Sequence, residues 1–166
     1  GIFWRDKNDK LTRTAAPEKW RRVEGVRSKG RGGVLGMGAF LAVNSGASRT
    51  SPILRGNWIY ETLLGEKLPK PPASVPDLPE KVPENLTARQ LIEKHSSAKE
   101  CSKCHERIDP YGFALEQFDA IGRIRKNQRD TSVMLYDGSR INGIEGLRDY
   151  LVTKRRDDFL EQFCRK

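Results

Sequence analysis

The residues best suited to chemistry in this sequence form one short motif. Cys101 and Cys104 are separated by two residues, and His105 follows directly, which gives the pattern C-x-x-C-H. On one turn of helix, two thiols at this spacing can each bond to a vinyl group of one porphyrin, and the next histidine then lies beneath the iron. This pattern is the attachment signature of c-type haem. The sequence therefore predicts one covalent haem c, held by Cys101 and Cys104, with His105 as the proximal iron ligand.

Two other kinds of site use the same residue types. A zinc site could take Cys101, Cys104 and either His105 or His95, but a closed zinc site needs four ligands, commonly as two pairs. Cys164 has no paired neighbour, although His95 could complete the set. A thioredoxin-like redox pair or a disulfide is the other alternative, although no strand–helix–strand pattern surrounds the motif. The residues favour haem and leave these alternatives open.

A second axial ligand would decide the behaviour of the iron. A filled sixth position favours electron transfer, whereas an open one allows ligand binding or peroxide chemistry. His95 is the other histidine of the chain, and the short tether to Cys101 spans roughly 20 Å at most when extended. Met37 and Met134 are the alternatives, because a thioether ligand raises the reduction potential relative to a second imidazole.

Further residues are predicted to surround the haem. Arginine suits the anionic propionates because its planar guanidinium forms paired hydrogen bonds with a carboxylate. The candidate propionate partners are Arg49, Arg55 and Arg123. The candidate walls of the haem pocket are Phe113, Leu115, Phe118 and Ile121. Asp109-Pro110 predicts that the helix of the motif ends there and a turn begins.

Most segments that must position these residues have helical patterns. A helix is predicted over Pro52 to Leu64 with Gly65 as its stop, a second over Ala88–His95 capped by Thr87, and a third around Cys101–His105. The apolar spacing from Ile144 to Lys166 is helical, with a break near 154–157. Asp137-Gly138 predicts a hairpin turn between segments around Met134 and Ile141. The fold class is therefore mainly α, a cytochrome-c-like helical haem module with extensive loops and a small hairpin.

The composition divides the chain into three regions. Residues 1–30 are a basic N-terminal segment, expected to be the end of a preceding domain. Residues 31–128 are the haem module, which includes a proline-rich linker at 69–83 that favours polyproline II conformation. Residues 129–166 are a C-terminal hairpin-plus-helix module. The chain starts without Met, and its last helical pattern has no stop signal, so it is expected to be a piece of a longer protein.

The charge balance narrows the choice of partners. The 166 residues contain 31 Lys and Arg against 22 Asp and Glu, a formal net charge of +9. These cations are dispersed, with no aromatic-interleaved ladder, so no nucleic-acid partner is predicted. No apolar run approaches the roughly 18 residues of a membrane span. An acidic redox partner fits the basic surface and would act mainly through the rate of association.

Long strings of the sequence resemble a known family. They are Arg31-Gly-Gly-Val-Leu, Ser48-Arg-Thr-Ser-Pro-Ile-Leu-Arg-Gly-Asn-Trp58, and Cys101-Ser-Lys-Cys-His-Glu-Arg-Ile-Asp-Pro-Tyr-Gly-Phe-Ala-Leu-Glu-Gln-Phe-Asp-Ala-Ile-Gly-Arg123. Together they resemble the C-terminal pair of domains of unknown function in large planctomycete-type secreted cytochrome-like proteins, over roughly residues 30–166. The resemblance implies covalent haem c, export to the periplasm or beyond, and a histidine at the position of His95. It implies no known reaction.

The sequence thus predicts a monohaem c-type cytochrome module of a larger exported protein. It would exchange electrons with a redox partner protein or with other domains of the parent chain. The alternatives are a haem-dependent, peroxidase-like catalytic part and a structural zinc module.

Overall fold

Helices dominate the computed structural model, which describes residues 24–70 (Lys29 by its backbone), 78–79, 82, 85–127 and 129–165, and the backbone of 3–5 and 11–13. The α-helices of these ranges are α1 (Gly38–Val43), α2 (Pro52–Trp58), α3 (Ala88–Ser96), α4 (Lys99–Phe113), α5 (Gly143–Thr153) and α6 (Arg156–Arg165). The strands form antiparallel pairs, β1 (Phe3–Arg5) with β2 (Leu11–Arg13) and β3 (Ser132–Met134) with β4 (Arg140–Asn142). The prediction of a mainly α fold with a small hairpin is confirmed.

Local sequence signals set the ends of α2 as predicted. The Ser51 hydroxyl accepts a hydrogen bond from the Leu54 N–H at 3.2 Å. Pro52 follows in the first turn, where its missing N–H costs nothing. The helix continues as a wider turn of π-helix over Ile59–Leu63. Gly65, at φ 68°, then turns the chain away in a left-handed conformation that suits glycine.

The N-terminus of α3 is fixed by a reciprocal cap. The Thr87 hydroxyl accepts from the Gln90 N–H at 3.2 Å, and the Gln90 side-chain oxygen accepts from the Thr87 N–H at 2.9 Å. Leu91 and Ile92 are buried on the inner side of the helix. Only residues 97–98 separate α3 from α4, so the two helices lie against each other. The predicted capped helix is confirmed.

The prediction that Asp109-Pro110 ends the helix of the motif is wrong. Pro110 lies inside α4, which runs on to Phe113. Proline has no N–H, so the Glu106 carbonyl one turn earlier loses its helical donor. The backbone nevertheless stays helical, and the Ala114 N–H donates to the Pro110 carbonyl at 3.1 Å. Packing of the last turn against α2 compensates for the lost hydrogen bond.

Two glycines allow α2 and α4 to cross in direct backbone contact. A Cβ added to Gly56 of α2 would overlap the Ile108 carbonyl of α4. A Cβ added to Gly112 of α4 would overlap the Pro52 carbonyl of α2. Each helix therefore supplies the glycine that admits the backbone of the other, and this contact is the most extensive between any two described elements.

One apolar cluster joins the two crossed helices to the C-terminal region. The hairpin presents Val133 and Ile141, a cross-strand pair, toward the core, and β3 packs against α4. The Tyr150 hydroxyl of α5 donates to the Asp137 carboxylate in the hairpin turn at 3.0 Å. The predicted Asp137-Gly138 hairpin and the interrupted C-terminal helix are both confirmed. Fully buried members of the cluster are Leu41, Ile59, Ala114, Leu115, Phe118 and Leu147.

Two predicted regions lie largely outside the described residues. The proline-rich linker at 69–83 is described at 69–70, 78–79 and 82, and the segment 1–30 at 24–30 and in the two short strands. Their predicted roles stay predictions. Among the described residues, no helix combines the length and the apolar character that a membrane crossing requires.

Replacement of Gly112 with alanine should strongly destabilise the fold. The added methyl group must push the backbones of α2 and α4 apart, and such overpacking costs about 1–3 kcal/mol or more. Denaturant unfolding followed by circular dichroism would measure the loss. Gly38→Ala is the matched control, because its Cβ would meet nothing closer than 3.8 Å. Equal midpoints for Gly112→Ala and Gly38→Ala would show that the close crossing does not limit stability.

Candidate functional site

Helix α4 presents the C-x-x-C-H motif on one of its faces. At 3.6 residues per turn, Cys101, Cys104 and His105 fall within an arc of about 100° around the helix axis. All three side chains are half-buried. Both cysteines are free thiols. The structure therefore brings two thiols and one imidazole together on one side of a helix, as the motif predicts.

A buried carboxylate fixes the imidazole of His105. Asp109 is one turn further along α4, and its two oxygens lie 3.0 and 2.9 Å from Nδ1 of His105. The residue is 5% exposed. Burial raises the pKa of Asp109, and the hydrogen bond with His105 opposes that rise. Which atom donates in this pair depends on the tautomer of His105. When Nδ1 carries the proton, it donates to the carboxylate and Nε2 keeps a lone pair that can bind a metal.

His95 lies beside His105. It is in the last turn of α3, and the centroids of the two imidazole rings are 5.4 Å apart at an interplanar angle of 79°. The short tether between α3 and α4 therefore places a second imidazole in edge-to-face contact with His105.

A shallow cleft opens next to His105. Its volume is about 230 Å³, below the roughly 300–1,000 Å³ of typical ligand pockets. A large planar group bound here would stay partly exposed. Phe113 lines the cleft, and Met134, which is 54% exposed, lines it from strand β3. Cys101, Cys104 and His95 are not among the residues that line it. Further lining residues include Arg89, Glu93, Ser102 and Asp109.

Arg89 is the cation of this cleft, and sequence reasoning missed it. Its guanidinium lies 4.7 Å from the centre of the Phe113 ring. It also forms ion pairs with Glu93 at 2.9 Å and with Asp130 at 3.1 Å. The i, i+4 spacing of Arg89 and Glu93 signals a helix-surface pair. Nothing in the sequence signals its position over Phe113.

The predicted propionate partners Arg49 and Arg123 lie at a second cleft. This cleft has a volume of about 570 Å³, and the motif residues are not among those that line it. Arg123 is paired with Asp119 at 2.7 Å. Ile121, predicted as a haem wall, lines the same second cleft and is 60% exposed. The structure does not bring these three residues together with His105.

Arg55 occupies the interior instead of a ligand surface. Its side chain is fully buried and donates to the backbone carbonyls of residues 41, 115, 118 and 119, at 2.7–3.3 Å. Glu116 lies 3.8 Å away. Burial lowers the pKa of Arg55 to about 10. A side chain that is engaged in this way ties the 114–119 turn to α1 and α2, so its predicted contact with a propionate has no support in this geometry.

The remaining predicted residues also lie away from the cleft beside His105. Phe118 and Leu115 are fully buried in the core, and the guanidinium of Arg31 lies 5.4 Å from the Phe118 ring centre. Met37 directly precedes α1 and is 55% exposed. Neither Phe118 nor Met37 lines the cleft beside His105.

The donor set fits haem c better than a preformed zinc site. Within residues 24–70, 85–127 and 129–165, no three His, Cys, Asp or Glu side chains are arranged to hold a metal ion. Covalent haem needs two accessible thiols and one adjacent imidazole nitrogen. Cys101, Cys104 and His105 meet that need. Cys164, the third cysteine, is exposed near the end of α6.

Comparisons with known proteins give a family and no close relative of known activity. Neither the curated proteins nor the solved structures include a significant match to the chain. A family model named PSCyt3, described as "Protein of unknown function (DUF1588)", matches residues 31–128. The matched range contains α1 to α4 and the whole C-x-x-C-H motif. Because the match covers more than half of the sequence, the chain belongs to the PSCyt3 family of proteins of unknown function.

Proposed function

We propose that this chain is a monohaem c-type cytochrome module that transfers electrons within a larger exported protein. The observation that carries the proposal is the face of α4 on which two free thiols and the His105 imidazole lie together. Haem c, when bound, supplies one-electron chemistry at its iron. Cys101 and Cys104 would tether the group, and Nε2 of His105 would ligate the iron, while Nδ1 of the same ring lies within 3.0 Å of the Asp109 carboxylate.

The surroundings of His105 support electron transfer. The neighbouring imidazole of His95 is a candidate sixth ligand, and a filled sixth position disfavours reaction with small ligands. The open cleft leaves the site near the surface, where a partner can approach it. The net charge of +9 favours an acidic redox partner through the rate of encounter. Export rests on the resemblance to secreted cytochrome-like proteins.

A peroxidase-like oxidoreductase is the second candidate. The polar groups of Arg89, Glu93 and Ser102 line the cleft beside His105 and could contact a small oxygen-containing ligand. This role needs a sixth position that is open or easily vacated. Binding of cyanide, carbon monoxide or peroxide to the purified protein would favour it. A low-spin spectrum that none of these molecules changes would favour electron transfer.

Removal of either motif thiol should prevent normal attachment of haem. The protein would be produced with a cytochrome c maturation system and its intact mass and reduced optical spectrum recorded. We expect the mass of one haem and a c-type α-band for the unaltered chain, and loss of the two-bond product in Cys101→Ala and Cys104→Ala. Cys164→Ala is the control, since that exposed thiol lies outside the motif. Zinc without haem, or unchanged covalent haem in both motif variants, would contradict the proposal.

Replacement of His95 should change the spin state of the haem protein. If His95 supplies the sixth ligand, His95→Ala converts a low-spin ferric spectrum to a high-spin one and allows carbon monoxide to bind the reduced protein. Met37→Leu is the control, because Met37 does not line the cleft beside His105. A low-spin spectrum that survives in His95→Ala but is lost in Met134→Leu would assign the ligand to Met134 instead.

A further inference from the structure

The geometry points to Asp109 as the positioning residue that orients His105 and lowers the reduction potential of the iron it ligates. This inference rests on the proposed haem function and deepens it. Both carboxylate oxygens of Asp109 lie within 3.0 Å of Nδ1 of His105. A backbone carbonyl would offer Nδ1 a single neutral acceptor, whereas this carboxylate offers two oxygens that share a charge. Carboxylates that accept from a metal-bound imidazole fix its orientation and increase its basicity.

Asp109 has no competing partner in the described part of the chain. Its side chain is 7% exposed, and every hydrogen bond recorded for it goes to His105. The cation of the adjacent cleft, Arg89, is engaged by Glu93 and Asp130. A buried carboxylate is costly unless a donor compensates it. His105 is that donor in the proposed arrangement, and its hydrogen bond opposes the effect of burial on Asp109 more than the nearby His95 does.

The fold holds this carboxylate in a fixed place. Asp109 lies between Ile108 and Pro110 in α4. The Ile108 carbonyl lies directly against Gly56 of α2. Gly112 anchors the next turn against Pro52. The backbone of Asp109 is therefore set by the helix crossing, and its side chain reaches back one turn to His105, the direction in which helical side chains point. The orienting contact does not depend on a surface loop.

The consequence for the iron follows from the charge of the acceptor. An ionised carboxylate at Nδ1 strengthens electron donation by Nε2, and stronger donation stabilises ferric over ferrous iron. The reduction potential is then lower than with a neutral acceptor. Asparagine keeps an acceptor oxygen but removes the charge, whereas leucine removes both. These two replacements separate the electrostatic contribution of Asp109 from its orienting contribution.

The first experiment measures the reduction potential of the haem-loaded protein and of two variants. For the haem-loaded protein, we expect Asp109→Asn to shift the ferric–ferrous equilibrium constant toward ferrous by at least tenfold, which is 59 mV for one electron. Asp130→Asn is the matched control: it also removes one acidic charge near the cleft, but that carboxylate pairs with Arg89. Haem content by mass must be equal in the compared proteins, so that a change in potential reports on the ligand.

A second readout does not require haem. Nitrogen-15 NMR of the unloaded wild-type chain should show His105 protonated at Nδ1, with that preference lost in Asp109→Leu. Wild-type protein with His105 protonated at Nε2 would overturn the inference, and so would equal potentials for Asp109→Asn and Asp130→Asn. If the wild-type chain takes up no haem, the proposed function fails while the tautomer still decides whether Asp109 orients His105. Because the wild-type tautomer needs no variant, poor folding of a variant leaves the inference testable.

Discussion

The direct contact of the α2 and α4 backbones constrains the rest of the structure. Gly56 and Gly112 allow it, because each faces a carbonyl of the opposite helix with no room for a side chain. The crossing fixes the C-terminal turns of α4, and these turns fix Asp109 and Phe113. His105, one turn earlier, then takes its orientation from Asp109. Close packing at Gly56 and Gly112 thus fixes the part of α4 that contacts His105, whose Nε2 atom is proposed to bind iron.

Arg55 performs a comparable role on the other side of the core. Its guanidinium donates hydrogen bonds to backbone carbonyls of α1 and of the turn that follows α4. These hydrogen bonds hold the irregular 114–119 turn in place. Glu116 lies nearby and its pKa is raised by burial. Glu116 also lines the second cleft, together with Arg49 and Arg123.

The sequence predicted the helices, their caps and the hairpin because those features depend on neighbouring residues. Thr87 with Gln90 and Asp137 with Gly138 are local signals of this kind. The course of α4 through Pro110 could not be read locally, since contact with a distant helix outweighs the missing hydrogen bond. Arg55 was predicted as a propionate partner, and its burial was not predicted, because burial of a charge depends on carbonyls far away in the chain. The contact of Asp109 with His105 was not predicted, because the Asp109-Pro110 pair was interpreted only as the end of a helix.

Pro110 also divides α4 into two unequal parts. The first turns bear the half-buried cysteines among exposed residues, and the Glu106 carbonyl at the boundary has lost its helical donor. The turns from Ile108 onward carry the glycine-mediated packing. Local opening of the first turns breaks no contact at Gly112, so it requires less free energy than global unfolding. If haem is attached as proposed, the attaching enzyme could therefore reach both thiols while the interior of the protein remains assembled.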